Sequence, residues 1–416
     1  MKPINNAKYE FKSKNISSKG IFLSENEDSY FFKLSSGYNI GVNKKSLIEA
    51  KKIEDPKPAA KETSSKIKNP DILILHTGGT IASKVDYSTG AVSDKFSPKE
   101  ILGLFPELEI FGAFDSVLIS NMPSDDMNFN HYNKLIEEVI KNQDKVKGII
   151  ITHGTDTIHF TSAALSFALK GIKIPVVLVG SQRSSDRPSS DAANNLLNAA
   201  YFVTKKVPGV YICMHEDLKK ENCLILKGVN VKKLHSSARD AFKQINTNPL
   251  ARINFKEDLY EELTKKQKAS KEEFTPKKFN PKINVGLIYS RPGMLSKELA
   301  VFKEGYDGLI LAGTGLGHFP ITKFDDHTTE NKKIFEELET LSKKIPLVMT
   351  TQTVYGNVNL NVYTPGRKIK KLGILGHDNS LSVESAYIKL AFLLSNYKKE
   401  EVKELYSKSL VSELDY

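Results

Sequence analysis

Short apolar runs recur along this chain, each ending in glycine and hydroxyl-bearing residues, with amphipathic stretches between them. Ile72-Leu73-Ile74-Leu75 is apolar at every position, the pattern of a strand buried on both faces of a parallel sheet. It runs into Thr77-Gly78-Gly79-Thr80. Gly148-Ile149-Ile150-Ile151 has the same grammar and runs into Thr152-His153-Gly154-Thr155-Asp156-Thr157. Strands are also expected over residues 175–180, 208–214 and 221–227. Residues 129–141 place Leu135, Val139 and Ile140 on one helical face, and residues 161–169 and 192–203 read as further helices. Ser97-Pro98 has the cap and first-turn chemistry of a helix start. This alternation of strand and helix predicts a mostly parallel sheet covered by helices.

The pattern changes at both ends of that unit. Residues 1–52 carry short strand-like runs, Gly20-Ile21-Phe22-Leu23, Tyr30-Phe31-Phe32-Lys33-Leu34 and Tyr38-Asn39-Ile40-Gly41-Val42, separated by turn residues. They predict a small, barrel-like all-β domain. Residues 53–69 lose periodicity and read as a linker rich in Pro, Lys, Ser and Ala. The α/β unit spans 70–255. Residues 256–281 are charged, end in prolines and read as a solvated second linker. A second α/β unit, 282–416, has strands near 285–289, 308–312 and 347–350 and helices near 328–343 and 383–395. Its Leu311-Ala312-Gly313-Thr314-Gly315 again ends a strand in a glycine-rich turn.

The 416 residues allow several domains and an ample core. No apolar run is long enough to span a bilayer, and the first residues lack the apolar stretch of a secretory signal. Two cysteines, Cys213 and Cys223, provide neither a disulfide framework nor a four-thiolate metal site. These features predict a cytoplasmic protein with no membrane contact. The net charge is +11, with 60 Lys+Arg against 49 Asp+Glu. The excess is nearly all lysine and spread along the chain, so it does not locate a nucleic-acid face.

Chemistry concentrates at the two hydroxyl-rich turns. Open α/β sheets bind ligands at the carboxyl ends of their strands. Paired glycines let the Thr77–Thr80 turn approach a ligand closely and can leave Thr80 Oγ1 exposed as a nucleophile, provided a base takes its proton. The plainer reading is that these threonines only bond backbone in a turn. Thr155-Asp156 sets a carboxylate beside a second hydroxyl, suited to a proton relay or to holding an ammonium. Lys233, in Val231-Lys232-Lys233-Leu234, is a candidate base or charge partner, although adjacent Lys232 fits as well by spacing. The glycine turns lack the Gly-Lys-Ser/Thr ending of a P-loop, and His215-Glu216-Asp217 has no second histidine at metal-ligand spacing.

Together, TGGTIA followed by HGTDT resembles the asparaginase/glutaminase amidohydrolases. Gly180-Ser181-Gln182-Arg183, Tyr306-Asp307-Gly308 and Ala312-Gly313 extend the resemblance over roughly residues 70–416. It implies a two-domain α/β amidohydrolase fold behind the small β domain. Gly37-Tyr38-Asn39-Ile40-Gly41, the stretch 232–242 and Asn359-Leu360-Asn361-Val362-Tyr363 further resemble the D-type subunits of archaeal glutamyl-tRNA(Gln) amidotransferases.

Carried over position by position, the resemblance makes Thr80 the nucleophile. Thr155, Asp156 and Lys233 become the relay. Ser124 and Asp125 hold the α-amino and α-carboxyl ends of the substrate, with Asp156 also on the amino group and Gly79 beside it. Many family members carry a catalytic tyrosine on the loop after the nucleophile. The simplest alignment puts Gly90-Ala91 there, leaving Tyr87 as the nearby candidate. The resemblance implies a glutaminase without cofactor or metal, its substrate glutamine, and a likeness to a homodimeric core. The partner would be an E-type kinase/transamidase subunit that uses ATP and Mg2+ and holds Glu-tRNA(Gln). The alternatives are a free-standing asparaginase/glutaminase and a catalytically inactive tRNA-binding or scaffold subunit.

Overall fold

The computed structural model describes residues 3–4, 7–34, 39–55, 70–79, 83–85, 92–94, 105–184, 190–264 and 273–414. Thr80, Tyr87 and the helix expected from Ser97 lie outside the described residues.

At the N-terminus, β1 (Lys8–Ser13), β2 (Ser17–Glu25), β3 (Ser29–Leu34), β4 (Asn39–Asn43) and β5 (Leu47–Glu54) form an antiparallel sheet in the order β4-β3-β2-β1-β5. In β1, Tyr9 and Phe11 are buried while Glu10 and Lys12 are exposed, the alternation of a strand with one dry face. Phe22, Phe32, Tyr30 and Val42 complete this aromatic core, and Phe11 stacks on Phe32 at 4.2 Å between ring centroids. Ile53 and Glu54, expected in the linker, belong to β5, which pairs with β1.

The main sheet has eight strands in the order β17-β16-β13-β12-β11-β10-β6-β9. Its strands are β6 (Ile72–His76), β9 (Phe114–Leu118), β10 (Gly148–Thr152), β11 (Pro175–Val179), β12 (Gly209–His215), β13 (Cys223–Lys227), β16 (Ala251–Asn254) and β17 (Leu259–Glu262). From β9 to β12 all neighbours are parallel, and from β12 to β17 they are antiparallel. Two small hairpins lie apart from it, β7 (Ser83–Val85) with β8 (Val92–Asp94) and β14 (Val231–Lys233) with β15 (Phe242–Gln244).

Every residue of β6 and β10 is buried because helices cover both faces. Leu73, Leu75, Ile149 and Ile151 meet α1 (Phe129–Asn142) and α2 (Ile158–Ala168) on one face. Ile72, Ile74 and Ile150 meet α3 (Ala192–Thr204) on the other. After β6 the chain places β9 on one side of it and then β10 on the other. The crevice beyond the carboxyl ends of β6 and β10 is therefore the sheet's topological switch point, where such folds bind ligands.

The second unit is built on the parallel sheet β18 (Val285–Tyr289), β19 (Gly308–Gly313) and β20 (Leu347–Thr351). Helices α4 (Ser296–Ala300), α5 (Thr329–Lys344), α6 (Thr364–Lys371), α7 (Val383–Asn396) and α8 (Lys399–Tyr406) complete it. Helix α7 packs on α2, with Phe167 stacked on Phe392 at 5.9 Å, so the two units share one apolar core. Beneath α7, Lys389 and Glu413 form an ion pair at 2.6 Å with neither side chain exposed, tying the chain's last turn to the helix.

One expectation is corrected. Residues 256–281 are not simply a solvated linker, because β17 pairs with β16 as an edge strand of the main sheet. Its charges serve that edge: Arg252 on β16 meets Glu261 on β17 at 2.7 Å. Charged residues on an edge strand resemble linker composition, and the patterning of the sequence does not separate the two. Further on, Phe279 is buried and stacks on Phe129 at 5.1 Å.

Candidate active site

Three loops meet at the switch point, and glycines let them meet. Gly78 and Gly79 have φ of 106° and 83°, backbone that side chains rarely adopt. A Cβ on Gly79 would lie 2.4 Å from the Gly154 nitrogen, and one on Gly154 would lie 2.8 Å from Ser124 Oγ. The turn after β6, the turn after β10 and the loop carrying Ser124 therefore interlock through main chain. Thr77 is a structural hydroxyl: it is buried and donates to the Thr152 carbonyl at 2.9 Å. Thr80, next in sequence after Gly79, lies outside the described residues, as does Tyr87.

The residues expected to form a relay come together. Lys233 Nζ donates to Thr155 Oγ1 at 2.9 Å and to Asp156 Oδ1 at 2.8 Å. Lys233 keeps only 9% of its side chain exposed, whereas Asp156 keeps 62%. The Lys233 amine is thus held inside while the carboxylate it meets remains largely open to solvent. Spacing left Lys232 and Lys233 equivalent. The structure separates them, because neighbouring residues of β14 point to opposite faces.

Ser124 is buried, and its main-chain carbonyl accepts from Thr157 Oγ1 at 2.7 Å, while its Oγ accepts from Thr157 N at 3.3 Å. This fixes the third loop to the start of α2. Asp125, next to it, is exposed.

Gln182, which sequence reasoning left without a role, also reaches Thr155. Thr155 Oγ1 donates to Gln182 Oε1 at 3.5 Å, and Gln182 Nε2 is buried with no hydrogen-bond partner among the described residues. Its position just past β11, at the carboxyl edge of the same sheet, was the available signal. Buried Asp191 holds that loop, accepting from the main-chain N–H of Gln182 and Arg183 and from Ser181 Oγ.

Behind the loops, His153 Nδ1–H donates to the Gly154 carbonyl at 2.7 Å and its Nε2 accepts from Thr161 Oγ1 at 2.8 Å. Burial holds His76, His153 and His159 at about 4, against an ordinary 6.5. They are neutral supports rather than titrating catalysts at neutral pH. Between those two values the unfolded chain binds more protons than the folded one. The stabilisation is therefore complete above about 6.5 and is lost as pH falls toward about 4. Thermal denaturation followed by circular dichroism should show the midpoint falling steeply across that window. A midpoint flat from neutral pH to about 4 would mean that these rings are not held neutral.

Among the described residues, no group of three or more His, Cys, Asp or Glu is placed to hold a metal ion. His215 instead bonds Asn194 and Asn195, and Glu216 pairs with Arg252. No helix of the described residues is long and apolar enough to cross a membrane.

Residues 71–265 match the family described as "Asparaginase, N-terminal", and residues 284–406 match "Glutaminase/Asparaginase C-terminal domain". The chain belongs to the asparaginase family. The D-type subunit of the glutamyl-tRNA(Gln) amidotransferase of Methanococcus maripaludis strain C7 is 41% identical over 409 residues, covering 95% of this chain and 94% of that protein. The corresponding D-type subunit of Archaeoglobus fulgidus is 39% identical over 407 residues, covering 97% and 94%. Among solved structures of the asparaginase family, the thermostable L-asparaginase of Thermococcus kodakarensis aligns with a TM-score of 0.72 at 31% identity, covering 82% of this chain and 98% of its own. L-asparaginase I of Vibrio cholerae aligns with a TM-score of 0.70 at 25% identity, covering 83% and 99%.

Proposed function

We propose that this chain is the glutaminase subunit of a glutamyl-tRNA(Gln) amidotransferase. It hydrolyses glutamine and supplies ammonia for converting Glu-tRNA(Gln) to Gln-tRNA(Gln). The carrying observation is the extent of the likeness. The Thermococcus asparaginase is matched over 98% of its length yet leaves 18% of this chain uncovered, whereas the Methanococcus and Archaeoglobus D-type subunits match 95% and 97% of it. The asparaginase family match begins at residue 71, after the N-terminal β sheet.

In the mechanism, glutamine binds with its α-amino group toward the exposed carboxylate of Asp156 and its polar head near Ser124 and Asp125. The Thr80 hydroxyl attacks the side-chain carboxamide carbon while its proton passes to Thr155, whose own hydroxyl proton moves by way of Lys233 to the Asp156 carboxylate. Main-chain N–H groups around Gly79 and Thr155 stabilise the oxyanion. The amide nitrogen takes a proton and leaves as ammonia, with the acyl group on Thr80. Water then attacks that ester, and glutamate departs as Thr80 regains its proton. Only side chains and water are needed for this hydrolysis. Phosphoryl activation with ATP and Mg2+, and most of the hold on Glu-tRNA(Gln), fall to an E-type partner subunit. The core is proposed to be a homodimer working in the cytoplasm.

The test is steady-state ammonia release from glutamine and from asparagine, first by the chain alone and then with the partner subunit and Glu-tRNA(Gln). Glutamine hydrolysis should be weak alone, and the complex should raise kcat more than it lowers KM, since closing a catalytic constellation acts on the chemical step. Asparagine turned over faster than glutamine, with no response to partner and tRNA, would favour a free-standing asparaginase instead.

A further inference from the structure

We infer that Glu384, at the start of α7 in the second unit, is a positioning residue that sets the catalytic Lys233 through its neighbour Lys232. The two lysines project from opposite faces of β14. Lys233 reaches Thr155 and Asp156, and Lys232 forms an ion pair with Glu384. The Glu384 side chain is only 10% exposed, and Lys232 is 26% exposed, so this contact is largely shielded from water.

Strand β14 needs such an anchor. It has three residues and a single strand partner, β15. Besides Gln244 and Ile245 beside it and the buried Val231, restraints come from the start of α7 and the chain's end. Asn230, at a φ of 56°, donates its N–H to Ser385 Oγ at 3.0 Å and its Nδ2–H to the Glu413 carbonyl at 2.9 Å. Its Oδ1 accepts from Ser382 N at 3.3 Å. Asn230 fixes where the strand starts. The Lys232–Glu384 pair, two residues on, fixes its rotation, and rotation decides where Lys233 Nζ points.

Glu384 keeps its charge in this place. Burial works to raise its carboxyl, but the ammonium of Lys232, by charge and by hydrogen bond, outweighs that and leaves it below the usual glutamate range. The other groups facing it do not compete. His159 is buried and neutral, its Nδ1 without a partner among the described residues, and burial raises the Tyr289 phenol. Glu384 Oε2 is likewise buried without a partner, so Lys232 is the counter-ion the carboxylate has among the described residues.

The activity arm of the test rests on the glutaminase reading; the labelling arm does not. Glu384→Gln keeps the size and removes the charge. In this variant kcat for glutamine should fall about tenfold to a hundredfold, the range for a misplaced catalytic group, with KM little changed. Combined with Lys233→Met it should cause no further loss, whereas a purely structural defect would add. Lys232→Arg, which keeps the ion pair, should retain most of the rate. Independently of turnover, amine-reactive labelling read by mass spectrometry should modify Lys233 several-fold faster in Glu384→Gln than in the unchanged chain. A folded Glu384→Gln with unaltered Lys233 labelling and unaltered kcat overturns the inference. Absent ammonia release by the unchanged chain both alone and with partner subunit and Glu-tRNA(Gln) would instead overturn the glutaminase reading, leaving the labelling result to judge this one. Should Glu384→Gln not fold, Lys232→Gln removes the same pair from its other, more exposed end and is read identically.

Discussion

Thr80→Ala is expected to abolish ammonia release from glutamine, a loss of about 10⁴-fold or more, as for other hydroxyl nucleophiles. The structure narrows the choice among the threonines of the two turns. Thr77 is buried and spends its hydroxyl on the Thr152 carbonyl. Thr152 bonds His76 through its own hydroxyl at 2.7 Å. Thr157 donates to Ser124, and Thr155 lies between Lys233 and Gln182. Each of these hydroxyls already has a partner in the fold, in keeping with the proposal that Thr80 is the one that attacks. The glycines before it serve the same end, since Gly79 in left-handed backbone lets its turn touch Gly154. Removing one hydroxyl and one methyl group should leave the thermal midpoint near that of the unchanged chain. Thr80→Ser, which keeps a hydroxyl, should retain measurable turnover. Activity of purified Thr80→Ala within tenfold of the unchanged chain would place the nucleophile elsewhere.

The site's frame was legible where burial dictates composition. β6 and β10 are covered on both faces, so they read as unbroken apolar runs. Their ends read as hydroxyl turns because glycine is the residue that permits the close approach. What was not legible depends on pairing across the fold. β17 is an edge strand whose charges answer β16, and only the sheet explains them. Lys232 and Lys233 are chemically identical neighbours, and nothing local says which faces Thr155. That is decided by how β14 hangs from Asn230 and α7. Gln182 was visible as part of a strand-end motif, but its role follows from the distance to Thr155, a contact between loops far apart in sequence. Helix α2 begins at Ile158, earlier than its apolar periodicity suggests, because Thr157 is already held by Ser124 from another loop.

Asp156→Asn and Lys233→Met are each expected to lower kcat/KM for glutamine by about 10²–10⁴-fold, the range for proton-transfer groups, and to fail to multiply when combined. The geometry makes the two residues one device. A single ammonium spans Thr155 Oγ1 at 2.9 Å and Asp156 Oδ1 at 2.8 Å, so neither contact has its present meaning without the other. Lys233→Met leaves the Thr155 hydroxyl without its donor and Asp156 without its counter-ion. Asp156→Asn leaves the mostly buried Lys233 side chain facing a neutral amide in place of a carboxylate. Either change breaks the relay, and breaking it twice takes away little more. Asp156 has a second duty, since its exposed side faces the crevice where the substrate amino group would sit. Its variant should therefore also raise KM, whereas Lys233→Met should act on kcat. Kinetics of the four proteins in the double-mutant cycle give the result. A double variant about as impaired as the worse single one supports a joint relay, whereas losses that multiply would mean that Asp156 holds substrate while Lys233 works alone.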